Sequence, residues 1–598
     1  MAHPLNKLTI KGFKSIQNLE DFHLANLNVL IGGNGAGKSN FIDFFRMLRA
    51  MMELPLPGLA SASLKTYIAT GGGSDDFLFN GPKRTEQIEA EILFGQNGYR
   101  FRLVSTANET FIIIDEGICL DGHCSQWREM GSGHARPELL KEKEGGRGNA
   151  ISSSVYEAVS SWQIYHFHDT GKTAAMRRSE IIDDNRYLRF DAANIAPFLF
   201  YLQSAEKSVY SQIVDTIRLV APFFDDFVLI PDKNEKVRLR WQQKGADYPL
   251  KPHHLSDGTL RFICLATALL QPDPPATMII DEPELGLHPY AIDILAELIY
   301  AASQRIQLIV STQSPALVDC FEPSDIIVVN RRNGASVFKR LDERELAAWL
   351  EDYSLGELWQ KNIVTGGLIM NSVEIYIVVE GQTEQTFVRD VLAPHMACDC
   401  IYLYPVLIGK PGHKGGDIRF DRAKRDIGNL LKQRNNIFVS TMFDYFRIDA
   451  DWPGKSEASR KGLNGVRLTA AEKAEILEKA TQGKILDAFP EYNTGKRFIP
   501  YIEMHEFEAL LFSDVDILAE KSGAHPAELT RILEQYAHPE EINDDPEKSP
   551  SKRLESLVIG YRKVALGKSI SEAIGIQTIR QQCPHFNEWL TCFERLGK

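Results

Sequence analysis

A glycine-rich octapeptide near the amino end, Gly32-Gly33-Asn34-Gly35-Ala36-Gly37-Lys38-Ser39, constrains this chain more than any other segment. It lies between an apolar run, Leu27–Ile31, and a segment with an apolar helical face that extends from Lys38 to about Met52. Glycines in such a strand-loop-helix unit let backbone N–H groups turn inward around phosphate oxygens. The octapeptide therefore predicts a nucleoside-triphosphate site, with ATP as the cofactor.

The side chains of this loop have separate expected roles. Lys38 is expected to neutralise the β- and γ-phosphate oxygens, and Ser39 to supply the hydroxyl ligand for Mg²⁺. The residues expected to contact the nucleotide are Asn34, Gly35, Gly37, Lys38, Ser39 and Asn40.

Two later segments complete the pattern of a hydrolytic nucleotide site. Leu255-Ser256-Asp257-Gly258-Thr259 stands just before a predicted helix, and on its own such a Ser-Asp-Gly turn is more often an N-cap. Met278–Glu284 has the pattern of an apolar strand that ends in acids. Asp281 is expected to organise Mg²⁺ and Glu282 to polarise the attacking water, whereas Glu284 is expected to be structural.

With these segments in this order, the chain resembles the ABC ATPases of the SMC and DNA-repair branch. It is more similar to the OLD-family ATPases, which carry a comparable Leu-Ser-Asp-Gly-Thr signature. In that family the signature of one subunit closes on the γ-phosphate held by the P-loop of another. The resemblance implies that Ser256 and Gly258 act across the interface of a homo-oligomer, a dimer or a tetramer.

One residue departs from this resemblance. The strand after the acids ends in Ser311-Thr312-Gln313, and the family usually has a histidine where this chain has Gln313. A glutamine can donate a hydrogen bond to the γ-phosphate, but it cannot carry a positive charge or shuttle a proton. We therefore expect slow hydrolysis, with ATP acting as a clamp that holds a dimer.

The length of the chain predicts at least two domains, because 598 residues exceed what one hydrophobic core supports. We expect an α/β fold: an ABC-type P-loop ATPase domain over residues 1–370, with an inserted segment at about 57–252, and a second α/β domain over 371–598. The second domain begins with the apolar strand Glu374–Val379 and includes a basic helix from about Asp417 to Arg434.

Carboxylates follow two predicted strands of the second domain. Glu380 ends the first strand and Glu384 lies in the first turn of the next helix, while Asp444 ends a later strand. Because ligand sites in open α/β sheets lie at the carboxyl ends of the strands, these acids are candidates for a divalent-metal site. This part resembles the Toprim fold of topoisomerases, primases and OLD nucleases. In that fold a strand-end Glu followed by Gly opens the site, and an Asp pair after a later strand completes it.

Phe446 stands where the Toprim pattern has its second acid, so a replacement ligand must come from elsewhere. Asp449 and Asp451 are one source, and the segment Glu503-Met504-His505-Glu506 is the favoured one because it follows a strand. The expected metal ligands are Glu380, Glu384, Asp444, Glu503, His505 and Glu506, with Glu380, Asp444 and Glu506 as the catalytic constellation.

Two Mg²⁺ or Mn²⁺ ions held there could activate water on a phosphodiester. Basic residues in the same domain, in the loop 410–416 and on the helix after it, offer contacts to phosphate. The leading hypothesis is an ATP-regulated nuclease, and the resemblance to OLD and Gabija-type proteins implies defence against phage, with a phage-encoded trigger or partner protein. Two alternatives stay open: a sensor or scaffold that binds nucleic acid or a phage protein without cutting, and a nuclease that acts on RNA such as tRNA.

Composition and charge indicate which partners and which cellular compartment to expect. The formal net charge of −13 is not that of a nucleic-acid coat protein, although a local basic groove still permits phosphate binding. The sequence shows neither an apolar run long enough to span a bilayer nor a secretory signal, so we expect a cytoplasmic protein without a membrane partner. The eight cysteines are scattered, which favours reduced thiols over a zinc site.

Overall fold

The structure, a computed structural model, forms two compact units, Met1–Leu341 and Asp342–Lys598. It describes residues 4–53, 64–119, 124, 126–146, 150–361, 363–364, 373–399, 401–409, 418–463, 468–542, 548–558 and 561–596. The predicted basic loop 410–416 lies outside the described residues.

The first unit is built on two six-stranded sheets and two short hairpin-like pairs. Its strands are β1 (Leu5–Phe13), β2 (Ile16–His23), β3 (Leu27–Ile31), β4 (Gln87–Phe94), β5 (Asn97–Ser105), β6 (Phe111–Cys119), β7 (Trp127–Gly131), β8 (Gln163–Tyr165), β9 (Ser179–Ile181), β10 (Phe224–Phe227), β11 (Lys236–Arg238), β12 (Trp241–Gln243), β13 (Thr277–Asp281), β14 (Gln307–Ser311), β15 (Ile326–Arg332) and β16 (Ala335–Arg340). Its helices are α1 (Lys38–Met51), α2 (Leu64–Thr70), α3 (Glu138–Glu144), α4 (Ala150–Ser160), α5 (Ile195–Ala205), α6 (Lys207–Val220), α7 (Asp257–Leu270), α8 (Pro289–Ser303) and α9 (Pro315–Val318).

The nucleotide-binding motifs all join one sheet, of order β16-β15-β3-β14-β13-β8. Strands β15, β3, β14, β13 and β8 are parallel to their neighbours, and only β16 runs antiparallel. Every residue of β3, β13 and β14 is buried, as expected for parallel strands covered on both faces. Because parallel strands end at one edge, the segments after these three strands meet there.

The segment expected as an insertion, 57–252, instead supplies strands to both main sheets. Strands β4 to β7 continue the antiparallel sheet that β1 and β2 begin, in the order β2-β1-β4-β5-β6-β7. Strand β8 pairs with β13 in the parallel sheet, Ile279 opposite Ile164. The alternating burial of β4 explains the difference, since one face of this strand packs into the core of the unit.

A disulfide joins Cys119 at the end of β6 to Cys124. The expectation of reduced thiols is therefore wrong for this pair, whose Cα atoms lie 5.1 Å apart, within the range that a disulfide spans. Cys264, Cys320, Cys398, Cys583 and Cys592 are free.

The second unit has one parallel sheet, of order β18-β17-β19-β20, in which β21 also pairs with β19. Its strands are β17 (Val373–Val379), β18 (Ile401–Leu407), β19 (Ile437–Asp444), β20 (Phe498–Ile499) and β21 (Ile502–Glu503). Its helices are α10 (Glu343–Leu350), α11 (Leu355–Gln360), α12 (Gln382–Phe387), α13 (Ala393–Met396), α14 (Phe420–Gln433), α15 (Lys455–Leu463), α16 (Ala470–Ala488), α17 (Thr494–Arg497), α18 (Val515–Ser522), α19 (Pro526–Leu533), α20 (Pro550–Leu557), α21 (Lys563–Ile574), α22 (Ile576–Gln582) and α23 (Pro584–Leu596).

The boundary between the units lies at 341/342 rather than near 371. The reason is a buried ion pair: Lys361, just after α11, lies with its Nζ 3.3 Å from Asp426 Oδ2 of α14, and both side chains are fully buried. The hydroxyl of Tyr353 donates to the other oxygen of Asp426 at 2.6 Å. Helices α10 and α11 are therefore part of the second unit. Within the described part of the chain, no helix has the length and apolar character needed to cross a membrane.

Candidate functional site

The phosphate-binding loop follows β3 and leads into α1 as the motif predicts. Two of its glycines have no room for a side chain: a Cβ on Gly32 would lie 2.2 Å from the carbonyl oxygen of Val329, and one on Gly37 would lie 2.0 Å from Ser336 Oγ. Gly37 also has φ of +117°, in the region that favours glycine. The hairpin of β15 and β16 thus fixes the shape of the loop.

The predicted contact residues of the loop separate into exposed and anchored groups. Asn34, Gly35 and Ser39 are exposed, as a nucleotide-contacting edge requires. Asn40 instead turns its amide to Ser15, with Nδ2 donating to Ser15 Oγ at 2.7 Å. In this arrangement Asn40 supports the loop from behind.

Lys38 is buried at the base of the loop. Its Nζ donates to the carbonyl oxygen of Gly32 at 2.6 Å. Burial lowers the pKa of the Lys38 ammonium, and the charges of Glu282, Asp281 and Glu284 oppose that shift. The lysine therefore lies between the loop and the acids, where a phosphate would sit.

The two acids expected to act on the nucleotide follow β13. Burial raises the pKa of Asp281, but His166, the charge of Arg46 and a hydrogen bond from Ser311 together hold it below its usual value. A side chain that stays ionised in this way is suited to a divalent cation. Glu282 has φ of +46°, the left-handed region, which costs a non-glycine residue about 1 kcal/mol.

The ends of β14 and β13 are joined by side-chain hydrogen bonds. Gln313 Nε2 donates to Glu282 Oε1. Glu284 Oε1 accepts from Thr312 Oγ1 at 2.7 Å and from the Gln313 N–H at 3.0 Å. Burial raises the pKa of Glu284.

Two histidines that the sequence reasoning missed lie at this edge, directly after β8. His166 Nδ1 is 3.7 Å from Asp281 Oδ2, and His168 Nε2 is 3.2 Å from the carbonyl oxygen of Asp281. Burial and the neighbouring His166 lower the pKa of His168. The sequence does contain a His-x-His pattern after a short apolar strand. Only the pairing of β8 with β13 shows that these histidines lie beside Asp281.

The signature segment forms the N-terminus of α7. Ser256 is the N-cap, and its Oγ accepts from the Thr259 N–H at 3.1 Å. A Cβ on Gly258 would lie 2.4 Å from the carbonyl oxygen of Gly286, so only glycine allows this close approach. Leu285, beside Gly286, exposes 46% of its surface.

In the second unit, Glu380 directly follows β17, and Asp444 is the last residue of the neighbouring parallel strand β19. Val379 is in register with Met442, so the two carboxylates leave the same edge of the sheet. Glu384, on α12, is buried, and one of its oxygens accepts from the Gly381 N–H at 2.9 Å.

Further acids reach this edge from the segment after β21. The N–H of Phe507 donates to Asp444 Oδ1 at 3.0 Å, which fixes this segment against β19. Glu506 Oε2 accepts from the Ser551 N–H at 2.9 Å, and Glu508 Oε1 lies 3.2 Å from Lys563 Nζ. Glu508 was not among the predicted site residues. It lies two residues after Glu506, and the sequence does not show which of the two side chains turns towards Asp444.

The pKa values show that these carboxyl groups share one environment. Burial and Glu384 raise the pKa of Glu380 to about 8, and burial raises the pKa of Glu384. Burial, then Glu380, Glu384, Glu508 and Glu506, raise the pKa of Asp444 well above its usual range. Burial raises the pKa of Glu508 to about 7, against the opposing charge of Lys563. We name Glu380, Glu384, Asp444, Glu506 and Glu508 the acidic cluster.

Two predicted ligands have other partners. Glu503 is fully buried and accepts from the hydroxyl of Tyr501 at 2.8 Å. His505 stacks on Phe446, ring centroids 5.4 Å apart. The side chain of Phe446, at the position of the missing Toprim acid, therefore packs on one of the residues expected to replace that acid.

The acidic cluster fits a hard divalent cation in its chemistry: the donors are carboxylate oxygens, and no described residue donates a hydrogen bond to the buried Oε2 of Glu380. Even so, no three His, Cys, Asp or Glu side chains of the described residues are already arranged around one metal position. Arg447, 3.4 Å from Glu380 Oε1, and Lys563 supply positive charge at the cluster.

Comparison with known families identifies two parts of the chain. Residues 27–113 and 143–319 match a family model described as "AAA domain, putative AbiEii toxin, Type IV TA system". Residues 379–594 match a domain of unknown function, DUF4276. No curated protein is similar enough in sequence to count as a match.

Three solved structures show the range of structural similarity. A crystal structure of the SmcHead bound to the C-winged helix domain of ScpA is 19% identical, with a TM-score of 0.39, and covers 56% of this chain and 98% of its own. The Smc head domain with an extended coiled coil bound to the C-terminal domain of ScpA, from Pyrococcus furiosus, is 17% identical, with a TM-score of 0.39, covering 58% and 98%. The SMC head domain from Thermotoga maritima is 16% identical, with a TM-score of 0.31, covering 57% and 99%.

The family match over 27–319 spans the phosphate-binding loop, the signature segment and the acids after β13. The phosphate-binding loop after β3 and the acids after β13 meet at one edge of the parallel sheet. The first unit therefore contains a P-loop nucleotide-binding site within a region that matches an AAA-domain family model.

Proposed function

We propose that this protein is an ATP-regulated, metal-dependent nuclease that acts in defence against phage. The observation that carries the proposal is the acidic cluster at the carboxyl edge of a parallel sheet, where burial and neighbouring carboxylates raise the pKa values of Glu380, Asp444 and Glu508. Buried acids that repel one another are costly unless a cation compensates them. A divalent metal is the cation that such oxygen donors suit.

The residues of the cluster have complementary roles in this proposal. Glu380, Glu384, Asp444 and Glu508 would hold the metal, which supplies an activated water and a stabilised leaving oxygen when bound. Arg447 and Lys563 lie at the cluster and would contact the phosphate of the substrate. Glu506, held by the Ser551 N–H, supports the segment that carries Glu508.

The residues next to Asp444 support a nucleic acid as the substrate. Tyr445 and Phe446 are only half-buried, and Lys455 Nζ lies 3.7 Å from the centroid of the Tyr445 ring. Arg447 is exposed over 46% of its side chain. Aromatic rings and cations together are the usual contacts of bases and phosphates.

The ATPase domain supports regulation and a role in defence. The resemblance to OLD and Gabija-type proteins covers both units in the same order. The description of the family that the first unit matches names a putative toxin of a type IV toxin–antitoxin system. A nuclease held in check until ATP binding changes the assembly would act as such a toxin.

The test is a cleavage assay with purified protein, Mg²⁺ or Mn²⁺, and four substrates: supercoiled plasmid, linear duplex, single-stranded DNA and tRNA, each with and without ATP. We expect cleavage by the wild type, loss of it in Glu380→Gln, and no loss in Glu520→Gln, an exposed acid away from the cluster. Lys38→Ala should remove the dependence on ATP. Cleavage that persists in Glu380→Gln would refute the proposal.

A second candidate is an ATP-dependent sensor or scaffold that binds nucleic acid or a phage protein without cutting. The observation that favours it is the lack, among the described residues, of three ligands arranged around one metal position. The same assay separates the two candidates, because a sensor would bind ATP and leave all four substrates intact under both metals.

A further inference from the structure

The peptide unit between Asp281 and Glu282 is held at both of its polar groups. Its carbonyl oxygen, on Asp281, is 3.2 Å from His168 Nε2. Its N–H, on Glu282, donates to the carbonyl oxygen of Ser311 at 2.8 Å. A carbonyl only accepts, so Nε2 of His168 carries the proton and donates.

This peptide unit determines where the Glu282 carboxylate points. Rotation of the unit changes φ of Glu282, which stands at +46° and is unfavourable for a glutamate. A conformation of this kind persists only where the surroundings hold it. Ser311 holds one side of the unit from β14, and His168 holds the other side from the end of β8.

His168 is itself held in place. Its ring stacks on that of His166, with centroids 3.9 Å apart and an angle of 31° between the planes. The guanidinium of Arg261, a buried residue of α7, donates to the carbonyl oxygens of Phe167 at 2.9 Å and His168 at 3.2 Å. The histidine segment is therefore fixed before any nucleotide arrives.

The location of the pair also suits a role in hydrolysis. His166 Nδ1 is 3.7 Å from Asp281 Oδ2, and His168 Nε2 is 4.0 Å from Glu282 Oε2, so the pair faces both acids. The side chain of His168 keeps 27% of its surface exposed and that of His166 keeps 42%, so both rings are accessible from solvent.

We propose that His168, stacked on His166, is a positioning residue for ATP hydrolysis. It holds the peptide unit before Glu282 so that the Glu282 carboxylate faces the attacking water. Gln313 holds the carboxylate itself through Oε1, and His168 holds the backbone from the opposite strand. The role depends on a hydrogen bond from the ring, not on its charge.

The experiment compares the wild type with His168→Ala, His168→Gln and a control, His23→Ala, an exposed histidine at the end of β2. Single-turnover phosphate release is measured with enzyme in excess over labelled ATP, and affinity is measured separately with a fluorescent ATP analogue. We expect His168→Ala to slow phosphate release by about 10- to 100-fold with unchanged affinity, as misplacement of a catalytic group does. His168→Gln should restore most of the rate, because its amide can donate to the same carbonyl oxygen.

A second pair of variants tests the stacking. His166→Phe keeps a ring against His168 and should retain more of the rate than His166→Ala. Thermal unfolding midpoints show whether each variant is folded. Three results would overturn the inference: a wild-type rate in His168→Ala, a loss in that variant that appears wholly in ATP affinity, or no phosphate release by the wild type under single turnover.

Discussion

Gln313 donates to Glu282 Oε1 at the position where similar ATPases usually have a histidine. A neutral amide holds the carboxylate but adds no positive charge near the γ-phosphate. Glu282, the expected catalytic acid, is therefore held in place by Gln313 but receives no positive charge from it.

We predict that Gln313→His raises the single-turnover rate of phosphate release, because an imidazole can carry charge and shuttle a proton. Gln313→Asn, which keeps an amide on a shorter side chain, is the control and should not raise the rate. Equal rates in the wild type and Gln313→His would count against slow turnover as a consequence of this residue.

The acidic cluster predicts a dependence of stability on pH. In the folded protein the pKa of Glu380 is about 8 and that of Glu508 about 7, both above the ordinary value of 4.5. Between pH 4.5 and these raised pKa values, the two carboxyl groups are protonated in the folded state and ionised in the unfolded state. The free energy of unfolding therefore falls as pH rises from about 4.5 to about 8. Without metal, we expect the thermal midpoint to decrease over this range.

Two additions sharpen that measurement. Glu380→Gln should flatten the decrease, since the titrating group is removed, and Glu520→Gln should leave it unchanged. Mn²⁺ should raise the midpoint more at pH 8 than at pH 5, because the metal competes with protons for the same oxygens. A midpoint that is independent of metal at both pH values would argue against a cation site in the cluster.

How far single residues can be predicted depends on whether their partners are close in sequence. Lys38, Asp281 and Glu282 lie in short contiguous motifs, so their meeting at one edge follows from parallel strands alone. His168 gains its role from β8 pairing with β13, more than a hundred residues away in sequence. The inward turn of Glu508 depends on the Phe507 N–H bond to Asp444, which spacing does not reveal.

At the scale of elements, a helix with one apolar face could be predicted from sequence. The domain to which a short helix belongs could not, because it depends on tertiary contacts. The apolar run Leu27–Ile31 forms β3 with the predicted bounds, and the helix predicted from Lys38 to about Met52 forms α1, Lys38–Met51. The boundary of the second unit was misplaced because α10 and α11 are short and charged, and their membership depends on the buried pair of Lys361 and Asp426.

We predict that Lys361→Met destabilises the second unit by about 3–5 kcal/mol, because it leaves Asp426 buried without its cation. Adding Asp426→Asn should recover part of the loss. Arg425→Met removes an exposed partner of Asp352 and should change stability by less than about 1 kcal/mol. Chemical unfolding followed by tryptophan fluorescence measures all three, and equal effects of Lys361→Met and Arg425→Met would contradict the prediction.

At the scale of the whole molecule, the resemblance to ABC ATPases predicts that the signature segment of one chain closes on the triphosphate held by a second copy. Ser256 caps α7, and the exposed Leu285 lies beside the Gly286 carbonyl against which Gly258 packs. This arrangement is the basis for expecting a homo-oligomer.

We predict that Glu282→Gln forms a larger, even-numbered assembly when ATP is added. This variant should bind ATP without hydrolysing it, so the ATP that links the copies persists. Lys38→Ala should stay at the smaller mass with or without ATP. Mass photometry distinguishes these states, and a mass that does not respond to ATP in Glu282→Gln would exclude the nucleotide as the link between copies.

The ion pair of Lys361 and Asp426 also decides how the protein should be divided for study. A fragment that starts at residue 371 would discard the lysine and leave the Asp426 carboxylate in an apolar interior with nothing to neutralise it. A fragment that starts at Asp342 keeps the lysine, the Tyr353 hydroxyl and the two short helices that carry them. Activity assays on the second unit alone should therefore use a fragment that starts at Asp342 and keeps these roughly thirty additional residues.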